Sequence, residues 1–367
     1  VAVVVAVVVA AAAGAGVEWA LNHGTAGGQS GLFPIGPSGN SGPSGNTGSG
    51  TTPSGNSVSG IATEVDPAIV DIDTTLTQGG GAAGTGMVLT SSGLVLTNNH
   101  VIENASTIEA QVDGSGRQYG ATVLGYSVSD DIALLQLKDA SGLRTVVTGN
   151  SSDVAVGTSI VGIGNAGGAG GTPSATGGSV TAVNQTITAS GDGLLPETLH
   201  GLIQIDADIQ PGDSGGPLVD TAGHVIGMDT AASVNGNGFG EQSGTGGEGF
   251  AISIDNALSI VDQIKAGKAS ATVQIGPRAL LGVAITDGRS PPGAYVDEVE
   301  PGSPADAAGI VQGDTIVSVG STTVATGAAL SNALVGHKPG DTVTVGWIDA
   351  SGTRHSAAVR LVVGPPG

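Results

Sequence analysis

Between residue 61 and about residue 253 the apolar residues come in short runs, and this limits the folds open to the chain. The runs IVDIDT, GTGMVLTSSGLVLTNNHV, TIEAQV, ATVLGY and DIALLQL alternate with Gly-rich turns. They are rich in Val, Ile and Thr, whose branching at Cβ suits extended backbone. Many short strands with turn signals between them describe an all-β barrel or sandwich. Aromatic residues make up only 2% of the chain, so aliphatic residues must build the cores, and a hydrophobic content of 39% is enough for that. A length of 367 residues leaves room for two or three domains. One helical pattern follows the strands. Asp255 is read as its cap, Ala257, Leu258, Ile260, Val261 and Ile264 as its apolar face, and Gly267 as its end.

The ends of the chain read differently. It opens VAVVVAVVVAAAAGAGV, seventeen residues without a polar side chain, ahead of Glu18 and Trp19. As a helix this stretch spans about 26 Å, slightly short of a hydrocarbon core of roughly 30 Å. There is no initiator Met and the first basic residue is Arg117, so the expectation is that the chain starts inside a membrane-targeting segment, residues 1–22. Two outcomes fit: a single-pass anchor with the rest of the chain outside the cytoplasm, or a cleaved signal on a secreted protein. A buried core helix is the third reading. Residues 23–60, with PSGN three times, cannot bury enough surface to fold alone and read as a tether.

The net charge of −21, with ten Lys and Arg, repels nucleic acid and excludes it as a partner. With no Cys, disulfides, thiolate catalysis and Cys-ligated metals are excluded. The His and Asp residues lack metal-ligand spacing, so no metal and no cofactor is expected.

The stretch IQPGDSGGPLV isolates Ser214 between an acid and two glycines. A serine hydroxyl is a weak nucleophile at neutral pH. It needs a base within hydrogen-bond reach, a group to orient that base, and donors for the developing oxyanion. Of six histidines, His100 stands apart, at a strand-to-turn junction in LVLTNNHV. Asp131 leads directly into the apolar DIALLQL, where an acid is costly without a specific partner. The order His, Asp, Ser is a known triad arrangement.

TNNHVI, DIALLQL, QPGDSGGPLV and GEGFAISI are similar to the signature stretches of the HtrA (DegP-like) trypsin-fold serine proteases, over about residues 61–267. The resemblance implies a mostly β fold with two packed six-stranded barrels. His100 and Asp131 would lie on the first and Ser214 on the second. It implies an oxyanion hole at Gly212, Asp213 and Ser214, made by the N–H groups of Gly212 and Ser214 with Asp213 between. Thr230 and Ala231 in MDTAA match the strand that pairs with substrate backbone. Two departures stand out. Asp208, six residues before Ser214, falls at the floor of the primary specificity pocket in trypsin-like folds. There it either attracts Lys or Arg side chains or turns to solvent. Asp213 stands where the family often has Asn. The Gly-rich loop 234–247 reads as mobile.

Residues 278–364 resemble a PDZ domain of the HtrA-associated kind. Leu280, Leu281, Gly282 and Val283 match its carboxylate-binding loop, and Leu330 and Leu334 are candidates for the helical wall of the groove or for the domain core. Implied partners are unfolded or misfolded protein substrates, C-terminal peptide tails at the PDZ domain, and a membrane through the N-terminal segment. A homotrimer is also implied, although Phe33 is the sole aromatic of the Gly/Ser-rich segment. A chaperone-like or PDZ-mediated binding protein with latent protease activity is the alternative reading.

Overall fold

The computed structural model describes residues 5–8, 57–77, 79–190, 197–233, 248–270, 272–286 and 291–366. Six strands form the first barrel: β1 (Ile69–Leu76), β2 (Gly81–Val88), β3 (Leu94–Thr97), β4 (Ala105–Val112), β5 (Gln118–Ser127) and β6 (Ile132–Leu137). They pair in the order β4-β1-β2-β3-β6-β5, and β5 closes back on β4. The second barrel consists of β7 (Ser159–Gly164), β8 (Ser174–Ser190), β9 (Glu197–Ile205), β10 (Pro217–Asp220), β11 (His224–Ser233) and β12 (Glu248–Ser253). Its order is β7-β8-β9-β12-β11-β10, closed by β10 on β7. The two six-stranded barrels are those the sequence resemblance implies.

DIALLQL is apolar without alternation because both faces of β6 are buried. Ala133 and Leu135 fill the first barrel, while Ile132 and Leu134 join a larger core with Val161, Ile163, Val219 and Met228 of the second. That shared core locks the barrels together, each fully buried Leu or Ile contributing about 1.5–3 kcal/mol.

Three helices frame this unit. α1 (Val58–Val65) starts inside the stretch read as tether, capped by Ser57 Oγ, which accepts from Gly60 N–H. Its Ile61, Ala62 and Val65 enter the shared core. α2 (Asn99–Ile102) follows β3, and α3 (Ile254–Lys265) follows β12. Ala257, Ile260, Val261 and Ile264 of α3 are buried, as the periodicity predicts, and Leu258 is partly buried against the same core. Its cap is Ser253 rather than Asp255. The serine hydroxyl accepts from Asn256 N–H, while the Asp255 carboxylate, in the first turn, accepts from Ser151 and Ser152 N–H. β13 (Val273–Ile275) then pairs with β5, so the chain rejoins the first barrel after residue 267.

The C-terminal domain contains β14 (Ala279–Leu280), β15 (Val283–Thr286), β16 (Ala294–Val299), α4 (Pro304–Ala308), β17 (Thr315–Val319), α5 (Gly327–Val335), β18 (Thr342–Ile348), β19 (Arg354–Arg360) and β20 (Val362–Val363). Its main sheet runs β15-β16-β17-β18-β19, and Ala294, Val296, Ile316, Val345 and Trp347 lie in its core.

Of the apolar opening, only Val5–Val8 is described, as a short strand parallel to Ile187–Ser190. The rest of residues 1–22, residues 23–56 of the tether and the loop 234–247 lie outside the described residues. Among the described residues no helix is long and apolar enough to cross a membrane.

Candidate active site

His100 sits in the single turn of α2, with Asn98 as its N-cap residue. Asn98 Nδ2 donates to the Asp131 carbonyl at 2.9 Å, which ties TNNH to the head of β6. Asp131 occupies the left-handed region, φ 53°, a conformation Asp tolerates better than most residues. Its own N–H closes a turn onto Val128 O at 3.0 Å. The Asp131 carboxylate accepts from the His100 backbone N–H at 3.0 Å and lies 2.9 Å (Oδ2) and 3.1 Å (Oδ1) from His100 Nδ1. A carboxylate only accepts, so Nδ1 carries the proton and Nε2 is left with its lone pair.

Thr230 completes the arrangement. Its Oγ1 donates to Asp131 Oδ2, and its carbonyl accepts from Ser214 Oγ at 3.3 Å. One residue of the second barrel therefore touches both Asp131 on the first and Ser214 on its own. A shift in register between Asp229 and Ala231 leaves Thr230 outside the β11–β12 ladder. This local irregularity frees its side chain to turn to Asp131. Thr230 was expected only as part of a substrate-pairing strand. That part also remains open to it, because beyond Met228 the residues of β11 are no longer paired in the β10 ladder.

Ser214 is presented by a tight turn. Asp213 N–H donates to Gln210 O at 3.0 Å, and Asp213 Oδ2 accepts from Gln210 N–H at 2.9 Å. The Asp213 N–H is thus engaged, while those of Gly212 and Ser214 are donated to no acceptor among the described residues. Gly212 has φ 100°, and a Cβ there would lie 2.1 Å from Asn165 O, so only glycine makes this turn. Thr85 of β2 clamps the turn from the first barrel. Its N–H donates to Ser214 O at 2.9 Å and its Oγ1 to Gly212 O at 2.7 Å, while Asn165 N–H donates to Thr85 Oγ1 at 2.9 Å. Sequence reasoning missed Thr85. The threonine in GTGM carries no local signal that it reaches residues more than a hundred positions away.

Asp208 is exposed, and its Oδ2 accepts from Gln210 Nε2 at 3.2 Å. Glu103, just past α2, has its carboxyl raised by burial, opposed by His100, raised by Asp131 and opposed by Arg278.

In the C-terminal domain, Leu280 lies on β14 and Val283 begins β15, with Leu281 and Gly282 between. Gly282 has φ 83°, and a Cβ there would strike Ser303 Cβ at 2.2 Å. Its carbonyl accepts from Ser303 Oγ and Glu300 N–H. The N–H groups of Leu281 and Gly282 meet no acceptor among the described residues. Among the described residues β15 pairs on one edge only, with β16. Leu330 and Leu334 of α5 are buried with Leu281 in the domain core.

These two parts match known families. Residues 84–228 match the model of a trypsin-like peptidase domain, and residues 279–351 that of a PDZ domain. Serine protease PepD of Mycobacterium tuberculosis is 34% identical over 342 residues, which span 89% of this chain and 71% of PepD. The periplasmic pH-dependent serine endoprotease DegQ of Escherichia coli is 34% identical over 279 residues, 72% of this chain and 56% of DegQ. Among solved structures, an HtrA-type protease AlgW with tripeptide is 27% identical, covering 85% of this chain and 98% of that one, with a TM-score of 0.49.

A trypsin-like peptidase domain followed by one PDZ domain defines a class of serine endopeptidase. Within that class, the extent of the PepD match shows that the chain belongs to the HtrA (DegP-like) family of serine proteases.

Proposed function

We propose that the protein is an extracytoplasmic endopeptidase that hydrolyses peptide bonds of unfolded or signal proteins with His100, Asp131 and Ser214. The observation that carries this reading is the convergence of Asp131 on His100 Nδ1 and, through Thr230, on Ser214 Oγ. Ser214 Oγ attacks the scissile carbonyl carbon as His100 Nε2 takes its proton. The tetrahedral oxyanion accepts from Gly212 and Ser214 N–H, the two unengaged donors of the turn. His100 then protonates the leaving amine, and the acyl-enzyme is resolved by water, activated in turn by His100. Asp131 holds the tautomer and stabilises the imidazolium.

The open edge of β11 at Thr230 and Ala231 accepts a substrate strand, which selects extended, unfolded chains. A second edge, β15 beside Leu280, Leu281, Gly282 and Val283, accepts a C-terminal tail whose carboxylate meets the free N–H groups. Leu330 and Leu334 support this groove from the core. Asp208, bonded to Gln210 and exposed, is assigned no part in recognising a basic side chain. Relatives named as periplasmic, DegQ and the Salmonella typhimurium DegP, support a place outside the cytoplasm. A membrane anchor in residues 1–22 and a homotrimer complete the reading.

The test is labelling with a fluorophosphonate probe. The wild type is expected to label, with a rate that rises through about pH 7 as His100 loses its proton. Ser214→Ala and His100→Ala are expected not to label. A wild type that stays unlabelled even with unfolded casein or tail peptides present would sink the protease reading and leave a binding protein.

A further inference from the structure

Asp229, the residue before Thr230, has no role in the mechanism above. It is 0% exposed, and neither carboxyl oxygen has a hydrogen-bond partner among the described residues. Oδ1 of the buried Asp213 is also unpartnered. β7 makes the space for both. A Cβ on Gly162 would lie 3.1 Å from Asp229 Oδ2, and one on Gly164 would lie 2.7 Å from Asp213 Oδ1. Residues two apart on a strand share a face, so both carboxyls enter one enclosed space under the turn that carries Ser214.

No Lys, Arg or His forms an ion pair with either acid among the described residues. β7 carries no ionisable residue, and Asp220 of β10 is held by His224. Glu248 begins β12, three positions before Ala251, the residue opposite Asp229. The exposed Asp208 adds negative charge near Asp213. Burial, and then the Asp213 charge, push the Asp229 carboxyl well above its ordinary value. Burial also pushes Asp213 up, to about 6, against the Gln210 and Ser174 donors, with Asp208 adding to the rise.

The backbone around this pair holds the nucleophile. Asp229 N–H donates to Gly216 O at 2.9 Å, and Gly215 N–H donates to Asp229 O at 2.8 Å. Asp213 closes the other side of the turn on Gln210. We propose that Asp229 is a positioning residue for Ser214: it keeps its proton in the active protein, and ionisation at alkaline pH, facing Asp213, separates the two acids and disassembles the turn. The inference rests on the reading of Ser214 as nucleophile, and it makes the alkaline limit of activity a property of this acid pair.

Two measurements on the full chain test it. The first is the rate of fluorophosphonate labelling against pH. The wild type is expected to rise through about pH 7 and then fall away at alkaline pH, and Asp229→Asn, which keeps the shape without the charge, is expected to label at least about tenfold faster than wild type near pH 9. An unchanged alkaline fall in Asp229→Asn would overturn the proposal. The second is carboxyl-carbon NMR of protein labelled in aspartate, which reads the proton whether or not the serine reacts. The Asp229 resonance is expected to titrate above neutral pH, and at lower pH in Asp213→Asn. Titration in the ordinary carboxylate range, or no response to Asp213→Asn, would refute the acid pair even if labelling supports the triad. A wild type that never labels while Asp229 titrates high would remove the nucleophile and leave the buried pair.

Discussion

Asp131 of the first barrel and Asp229 of the second are both buried at the site, and the two live in opposite surroundings. Asp131, at the head of β6, is 3% exposed and accepts from the His100 backbone, the His100 ring and Thr230. Asp229, on β11, is 0% exposed and accepts from nothing among the described residues. Residue type and burial are nearly the same. What differs is the supply of donors, and donors decide whether a buried carboxyl can carry charge. On the first barrel the donors converge on the carboxyl. On the second the structure favours the absence of charge.

The comparison is most exposed to failure at Asp131. Asp131→Asn keeps the volume but lets the ring adopt the wrong tautomer. Turnover of unfolded casein at neutral pH is expected to fall by roughly four orders of magnitude. The same exchange at Asp229 removes no partner and is expected to act through the pH profile instead. Equal losses at neutral pH in the two variants would break the contrast.

Thr230 sharpens it further. Thr230→Val retains the packing but deletes one of the donors to Asp131. Loss of a hydrogen bond to a charged group costs about 1.5–3 kcal/mol, so kcat/KM should drop roughly ten- to hundredfold. A kcat/KM equal to that of wild type would mean that His100 alone suffices to hold the acid.

The smallest effect is on stability, and it extends the contrast to a third buried acid. Asp71 on β1 has no partner for either carboxyl oxygen among the described residues, and burial, then Asp73 and Asp113, push it up to about 7. Asp66 is raised to about 6 by burial and by Asp113. A carboxyl with a raised folded pKa binds more protons folded than unfolded. Its stabilising effect is therefore complete below about pH 4 and lost as pH rises through about 6 to 7. Asp71→Asn is expected to melt a few degrees above wild type near pH 8, with the gap closing near pH 5. A gap that does not vary with pH would show that Asp71 is not the titrating group.

Much of the fold was legible because its signals are local. Short β-branched runs with glycine between them read as strands whatever surrounds them. The apolar face of α3 likewise announced itself by period, although its cap did not. Ser253 and Asp255 both suit a cap by type, and only the neighbouring Ser151 and Ser152 amides drew Asp255 away. The stretches around His100, Asp131 and Ser214 singled these residues out as candidates. Thr85 and the orienting side of Thr230 were not legible, because their partners lie on the other barrel.

The sequence by itself determined which segments extend, where they turn, which residue types are available for chemistry, and that no thiol or disulfide takes part. Closure of the two barrels decided the rest: the clamp of Thr85 on the Ser214 turn, the bridge from Thr230 to Asp131, and the enclosure of Asp213 with Asp229. The reason is physical. Strand propensity and glycine turns act over a few residues, whereas the charge state of a buried carboxyl depends on which donors reach it. Those donors arrive from elements up to 99 residues away only when the chain has folded.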